Sequence, residues 1–478
     1  MLSSLHYAPK NNCTRHHSVS DEFPTVTTPQ SAIIDESPED TEAASQAIGR
    51  SAMRKATLRL IPLIALGYGA AFMDRVNISF AALQMNRDLH FSATVYGFGA
   101  GLFFLSYAAC EIPSNLLLYR FGARRWLSRI MVTWGLLAMG MLFVRTPWQF
   151  YTMRFLLGMA EAGFFPGIIF YLMQWFPPHL RARAISRFYI SLPLSSVFMG
   201  SIAGALFHLD GHLGLRGWQW LFLVEGLPAL LLGVVFFFCL PDGPAQAPWL
   251  TAAERRWIID SVHNDPSLTG PRSHSLSAAL SDSRVWQIGL FQMFMLASSY
   301  AYTFVAPDMV QRATHLNTTR VGFIIAALNI LGAAAMLCNA AYSDRIQRRT
   351  PNTTYARYLH IIPWALLISI GFLACGLSAA SLPTVTSLGL LIIAYNAMQG
   401  PLWSLPGSFF QGRSAAAGIA TVNMIGMVGG FLGPYAMGVA RDLTGDYQRG
   451  LLLMSLPMLF GVGIMFHLRA GVRSRQHA

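Results

Sequence analysis

Charge is scarce in this chain of 478 residues. Asp, Glu, Lys and Arg together make up 12% of it, about half the share of an ordinary soluble domain, while 54% of the side chains are hydrophobic. Lysine is nearly missing, with Lys10 and Lys55 the only two. A Gly-rich phosphate loop ending in Gly-Lys therefore cannot occur, which argues against ATP as an energy source. His-Glu-x-x-His, Gly-x-Ser-x-Gly and cysteine pairs at metal spacing are absent as well, so no enzyme class announces itself and no cofactor is expected. Cys110, Cys239, Cys338 and Cys375 lie in or at the ends of apolar segments, where cysteine reads as small apolar packing, and Cys13 lies in a polar tail. No disulfide framework follows. The first fifty residues, rich in Ser, Thr, Asp and Glu, lack the apolar core of a signal peptide and read as a disordered tail.

What the chain has is uncharged length. Between Arg357 and Arg413 there is no Asp, Glu, Lys or Arg, enough for two membrane crossings at roughly 20 residues each. Backbone groups find no hydrogen-bond partners in lipid, so these crossings must be helices; unbroken apolarity excludes a barrel. Twelve spans are expected near 57–84, 95–119, 127–145, 148–175, 185–207, 218–240, 283–306, 320–341, 358–378, 384–408, 414–440 and 450–468. The fold class is thus an all-α membrane protein. A net charge of +12 would raise nucleic acid as a partner in a soluble protein, but here it sorts by loop. With both termini inside, sixteen arginines, from Arg120 to Arg413, fall on inner loops and seven, from Arg87 to Arg449, on outer ones. The positive-inside rule fixes that orientation, and the partner of the basic excess is an anionic leaflet of the bilayer rather than nucleic acid.

A hydrophilic stretch, Pro241 to Asp282, divides six spans from six. The expected organisation is a tail (1–52), a six-helix half (53–240), a cytoplasmic linker (241–282), a second six-helix half (283–470) and a short tail (471–478). Within the linker, Thr251 and Glu254 form a capping box opening a short surface helix. A basic loop follows the second span ("NLLLYRFGARRW") and another the eighth ("NAAYSDRIQRR"), as in transporters built from parallel six-span repeats with the binding site between them.

"FGARRW" and "SDRIQRR" resemble the two copies of the loop motif of the major facilitator superfamily, although Tyr119 stands where the first copy usually has an acid. "MDRVNIS" (73–79), "RFLLGMAEAGFFPG" (154–167), "GWQWLFLVEGLPA" (217–229) and "AAAGIATVNMIGMVGGFLGP" (415–434) narrow the resemblance to the anion:cation symporter family, in particular its bacterial tartrate-transporter-like branch. The resemblance implies a monomeric transporter of the bacterial inner membrane that imports a small organic anion with protons.

A charge at a helix centre costs at least about 2.5–3.5 kcal/mol, so each one needs a partner or a task. Asp74 and Arg75 are adjacent in the first span; Arg154 and Glu161 are seven apart in the fourth, on one helix face. The four sum to zero. Protonating one acid leaves an excess positive charge that a carboxylate can neutralise, and the alternative reading is a static salt-bridge network. The family resemblance assigns the proton to Asp74 and Glu161 and the anion to Arg75 and Arg154, whose planar forks suit a carboxylate. It also points to Tyr107 in the second span, and to Trp403, Ser404 and Asn423 in the tenth and eleventh, as substrate contacts. Glu111 and Glu225 read as structural partners, and His208 with His212 as a solvated loop. Proton-coupled efflux and a solute sensor without net transport stay open as alternatives. The carboxylate could be tartrate, a sugar acid or an aromatic acid, and resemblance favours a hydroxy-dicarboxylate such as tartrate.

Overall fold

The computed structural model describes residues 38–189, 191–263, 282–347, 358–378, 381–404 and 412–474, and among them the regular structure is helical throughout. Fifteen α-helices follow one another: α1 (Pro38–Asp88), α2 (Ala93–Phe121), α3 (Ala123–Gly140), α4 (Pro147–Glu161), α5 (Phe164–Trp175), α6 (Pro178–Tyr189), α7 (Ser191–Phe207), α8 (Gly217–Cys239), α9 (Ala252–His263), α10 (Ser283–Thr314), α11 (Thr318–Gln347), α12 (Ile362–Leu377), α13 (Ser381–Ser404), α14 (Gly412–Thr444) and α15 (Gln448–Ser474). Among the described residues ten segments are long and apolar enough to cross a membrane. Two shorter apolar helices, Phe198–Phe207 and Ile362–Leu377, fall at the expected fifth and ninth spans. Large apolar side chains such as Leu116, Leu231, Phe238, Leu337 and Phe460 stand exposed on the helix surfaces, as they would in a protein whose outer solvent is lipid.

The chain divides into two units, residues 1–45 and 46–478. The first contributes only the opening turns of α1 to the described residues. The second is one compact unit that contains both expected halves. Gln46–Ala52 are helical and belong to this compact unit.

One expected span is broken. The fourth divides into α4 and α5 because Gly163 takes a left-handed backbone (φ +84°), which a side chain at that position would strain and would also drive into Ser114. Local chemistry explains other ends. Ser92 caps α2 by accepting from Val95 N–H, and Thr146 with Gln149 forms a capping box ahead of Pro147 at the start of α4.

The helices before the linker meet those after it along two seams, α2 with α14 and α7 with α11. Both seams are closest at one end of the bundle, the end carrying the 89–92, 208–216, 315–317 and 445–447 turns. A Cβ at Gly97 would land on the Pro434 carbonyl, one at Gly438 on the Ala93 carbonyl, and Gly200 and Gly322 face one another backbone to backbone. At the same end Asp442 accepts from the N–H groups of Ala93 (3.0 Å) and Thr94 (2.7 Å), placing a negative charge on the N-terminus of α2. The Tyr96 hydroxyl donates to the Phe304 carbonyl (3.2 Å) nearby.

The linker helix α9 docks onto α1. Trp257 packs closely on Gly49, where a Cβ would meet its ring, and Glu254 accepts from Ser51 Oγ (2.7 Å) and Lys55 Nζ (2.9 Å). The expected capping box is present, with Thr251 N–H donating to Glu254 at 2.9 Å and Glu254 N–H donating back to Thr251 Oγ1 at 3.2 Å. Burial would raise the Glu254 carboxyl, but these hydrogen bonds and the Lys55 charge outweigh it and hold the group down to about 2 from its ordinary 4.5. A depressed pKa contributes stability above the unfolded value and loses it as pH falls through the folded one. Glu254→Gln is accordingly expected to cost about 1 kcal/mol at neutral pH, modest because Lys55 is partly exposed and screened. The gap between the two proteins in thermal unfolding in detergent should stay constant down to pH 5 and narrow between about pH 4.5 and 2. A gap that widens on acidification would contradict this account of the contact.

Candidate functional site

The scarce intramembrane charges converge where α1, α2 and α4 meet. Arg75, on α1, donates from Nε to Glu161 Oε1 at 2.8 Å, and its second nitrogen reaches the same oxygen at 2.5 Å. Glu161 is the last residue of α4, and the break at Gly163 directly behind it ends the helix at the depth of Arg75. The two partners differ in exposure: the Glu161 side chain is fully enclosed, whereas 11% of Arg75 is accessible. Arg75 thus presents the pair's surface to whatever enters, and Glu161 Oε2, buried without a hydrogen bond, lies behind it.

Aromatic groups surround the guanidinium. Arg75 Cζ sits 5.0 Å from the Tyr107 ring centre and 5.7 Å from that of Phe103, distances at which a cation is held by the ring faces. Tyr68 of α1 and Tyr300 of α10 lie within electrostatic reach of it, the Tyr189 ring packs on Tyr68 (5.7 Å between centres), and Tyr395 lies within reach of Tyr300. Tyr300 packs at a tilt against Phe104 (4.2 Å between centres, 48° between planes), so the helices after the linker contribute directly to the wall around Arg75. Tyr107 was expected here from the sequence. Tyr68, Tyr189, Tyr300 and Tyr395 were not, because a tyrosine inside an apolar run looks like packing until its neighbours in space are known.

Asp74 and Arg154 sit deeper among the helices before the linker. Asp74 is 2% exposed; its Oδ1 accepts from Asn77 Nδ2 at 3.4 Å, and its Oδ2 is buried without a hydrogen bond. The charges of Glu161 and Arg154 act on it through an interior of low dielectric. Arg154 is 1% exposed and turned toward α2, donating to the carbonyls of Gly99 (3.4 Å) and Ala100 (3.3 Å) with its Cζ 4.9 Å from the Phe103 ring centre. Its shared helix face with Glu161 does not bring the two into a pair; Glu161 pairs across to α1 instead. So held, Arg154 fastens α4 to α2 through its Nε and one terminal nitrogen.

Asn423 of α14 donates to both oxygens of Glu111 on α2, at 3.1 and 3.2 Å. This hydrogen bond crosses from one set of helices to the other and occupies the amide expected to meet substrate. The side chains of Trp403 and Ser404 lie outside the described residues. In the 208–216 turn Asp210 accepts from Gln84 and from Gly217 N–H, which ties the turn to α1 and α8.

The sequence profile of the Major Facilitator Superfamily matches residues 64–434. The chain belongs to this superfamily. As a Major Facilitator protein it is a multi-pass membrane transporter with twelve spanning helices and a small-molecule substrate, and not an enzyme. It is 45% identical over 404 residues to a protein of Agrobacterium vitis named "Putative tartrate transporter", an alignment covering 84% of this chain and 91% of that one. It is 36% identical to a quinolone resistance transporter of Acinetobacter baumannii, with 86% and 94% covered. Among solved structures, a bacterial homologue of the human lysosomal transporter Spinster superposes with a TM-score of 0.71 at 16% identity, covering 87% of this chain and 97% of that one, which establishes the shared fold.

Proposed function

We propose that this transporter imports a small organic anion together with protons across a bacterial inner membrane, as a monomer with both termini in the cytoplasm. The anion carries a carboxylate and is a tartrate-like hydroxy acid or a related sugar or aromatic acid. The observation that carries the reading is the Arg75–Glu161 pair, a cation with an accessible edge whose only charged hydrogen-bond partner among the described residues is an enclosed carboxylate. When Glu161 takes a proton, Arg75 loses its counter-ion inside the membrane, where an uncompensated charge costs several kcal/mol. A carboxylate replaces the lost charge with two parallel hydrogen bonds. Proton and anion then strengthen each other's binding by the same factor.

Asp74, hydrogen-bonded through Asn77 and within the field of Arg154, is the second proton group of this scheme. Arg154 acts with it, reaching the anion only if another state of the cycle turns it from Gly99 and Ala100. Tyr107 and, across from it, Tyr300 line the site. Trp403, Ser404 and Asn423 are its proposed polar contacts on the opposite side, Asn423 once it has left Glu111. The two halves rock about the seams between α2 and α14 and between α7 and α11. Export is the second reading, favoured by the name of the Acinetobacter baumannii relative. The same charge exchange serves both directions, and the imposed gradient decides between them.

Proteoliposomes with an inward proton gradient are the test, with labelled tartrate, a hexonate and an aromatic carboxylate as solutes. The wild type is expected to concentrate at least one of them, and Glu161→Gln to lose gradient-driven accumulation by more than tenfold while still exchanging bound anion. Accumulation by Glu161→Gln equal to wild type would overturn the proton assignment. Accumulation only under an outward gradient would replace import by export.

A further inference from the structure

A third carboxylate is sealed among the same helices and takes no part in the scheme above. Glu225 of α8 is 5% exposed, and both of its carboxyl oxygens are buried without a hydrogen-bond partner. No cation is among the groups that act on it, and the Asn77 amide is the polar group that reaches it. From α1 it faces Asn77 and Asp74, the latter itself acidic. From α3, Gly135 and Met139 press on Gly226, the residue next to it. The arginines of α3 (Arg124, Arg125 and Arg129) lie toward the far end of that contact, where Ser128 donates to the Gly233 carbonyl. Gly233 is eight residues from Glu225, about 12 Å along the helix at 1.5 Å per residue. The third packed helix, α7, contains no titratable or charged residue.

Asn77 has the complementary vacancy. Its Nδ2 donates to Asp74 Oδ1, while its Oδ1 is buried and accepts from no group. The reverse orientation of the amide would set that oxygen against the Asp74 carboxylate, so the observed one is the orientation that suits an ionised Asp74. A single proton on Glu225 resolves both defects, since the carboxylic acid O–H can donate to Asn77 Oδ1. Without it, two unsolvated carboxylate oxygens and one amide oxygen would each bear the cost of burial, on the order of 1–3 kcal/mol per group or more for a charged one.

We propose that Glu225 is a positioning residue that keeps its proton through the transport cycle and, by donating to Asn77, holds the Asn77 amide on Asp74. The inference rests on the reading of Asp74 as a proton-coupling group. Glu225 touches no solute and releases no proton; its task is to keep one donor aimed at the group that does.

Two variants separate this from simple packing. Glu225→Gln supplies a neutral donor of the same shape and is expected to restore gradient-driven uptake to within about twofold of wild type, with an unchanged pH profile. Glu225→Ala removes the donor, frees the Asn77 amide to turn, and takes from Asp74 a hydrogen bond that favours its ionised form. Half-maximal uptake should then move to higher pH by about one unit, while anion exchange without a gradient persists. Infrared spectroscopy reads the proton itself: in mildly alkaline buffer the wild type should show a carboxylic-acid carbonyl band that Glu225→Gln lacks. Loss of proton-driven uptake in Glu225→Gln would overturn the proposal by showing that Glu225 must ionise, and absence of the infrared band would overturn it independently of transport. Wild-type uptake by Asp74→Asn, with the band present in the parent protein, would instead remove the coupling role of Asp74 and leave the state of Glu225 established.

Discussion

Replacing Arg75 with alanine should weaken anion binding by about a hundredfold or more, with little loss of folded protein. Removing one partner of a buried charge-assisted pair typically costs 2–5 kcal/mol of binding, and 1.4 kcal/mol is a factor of ten. The fold should tolerate the change, because Glu161, deprived of its cation, can become neutral by binding a proton rather than remain as an isolated buried charge. Arg75→Lys keeps the charge but gives up the planar fork that meets a carboxylate twice, and an intermediate loss of about tenfold is expected. Arg154→Ala should behave differently. Its guanidinium holds the carbonyls of Gly99 and Ala100, so its removal should show chiefly as a lower unfolding temperature, with anion affinity less affected than by Arg75→Ala. Equilibrium binding of a transported anion and thermal unfolding, measured on all three variants in detergent, check the assignment. Wild-type affinity in Arg75→Ala together with lost affinity in Arg154→Ala would exchange the two roles.

The parts of this site that the sequence announced are those for which membrane physics leaves few choices. A charged residue in an apolar span is conspicuous because of what it costs, and Asp74, Arg75, Arg154 and Glu161 stood out for that reason before any fold was known. Their pairing was not legible. Helical spacing put Arg154 and Glu161 on one face, but spacing within a helix cannot say which neighbouring helix a side chain meets. The turn at Gly163 and the approach of α2 at Gly158 decide it, sending Glu161 to Arg75 and Arg154 to the Gly99 and Ala100 carbonyls. Asn423 and Glu111 illustrate the same limit, since they meet across 312 residues and no local pattern encodes such a contact. The tyrosines around Arg75 come from α1, α2, α10 and α13 and from the end of α6, each inconspicuous in its own segment. The spans themselves were legible almost throughout, and the misjudged place was a backbone event, the glycine break behind Glu161.

The glycine-lined seam between α2 and α14 makes a prediction about transport as a motion rather than about binding. At Gly97 and Gly438 backbone meets backbone, and the atoms a new Cβ would strike are the carbonyls of Pro434 and Ala93, which cannot swing aside as a flexible side chain can. Gly97→Leu should therefore force the two sets of helices apart at this end, breaking the contacts of Asp442 with the N-terminus of α2 and of Tyr96 with Phe304. Net transport is expected to fall by more than tenfold, because a cycle that cannot close this end cannot return its site to the opposite side. Anion affinity should change far less, since Arg75, Glu161 and Tyr107 are untouched. A cysteine placed at Thr94, on the seam, should react with a membrane-impermeant thiol reagent faster in the Gly97→Leu background than in the wild type. Unchanged transport would mean that the seam yields elsewhere and does not limit the cycle. Lost transport with unchanged cysteine reactivity would mean that the leucine damages the helix pair without opening it.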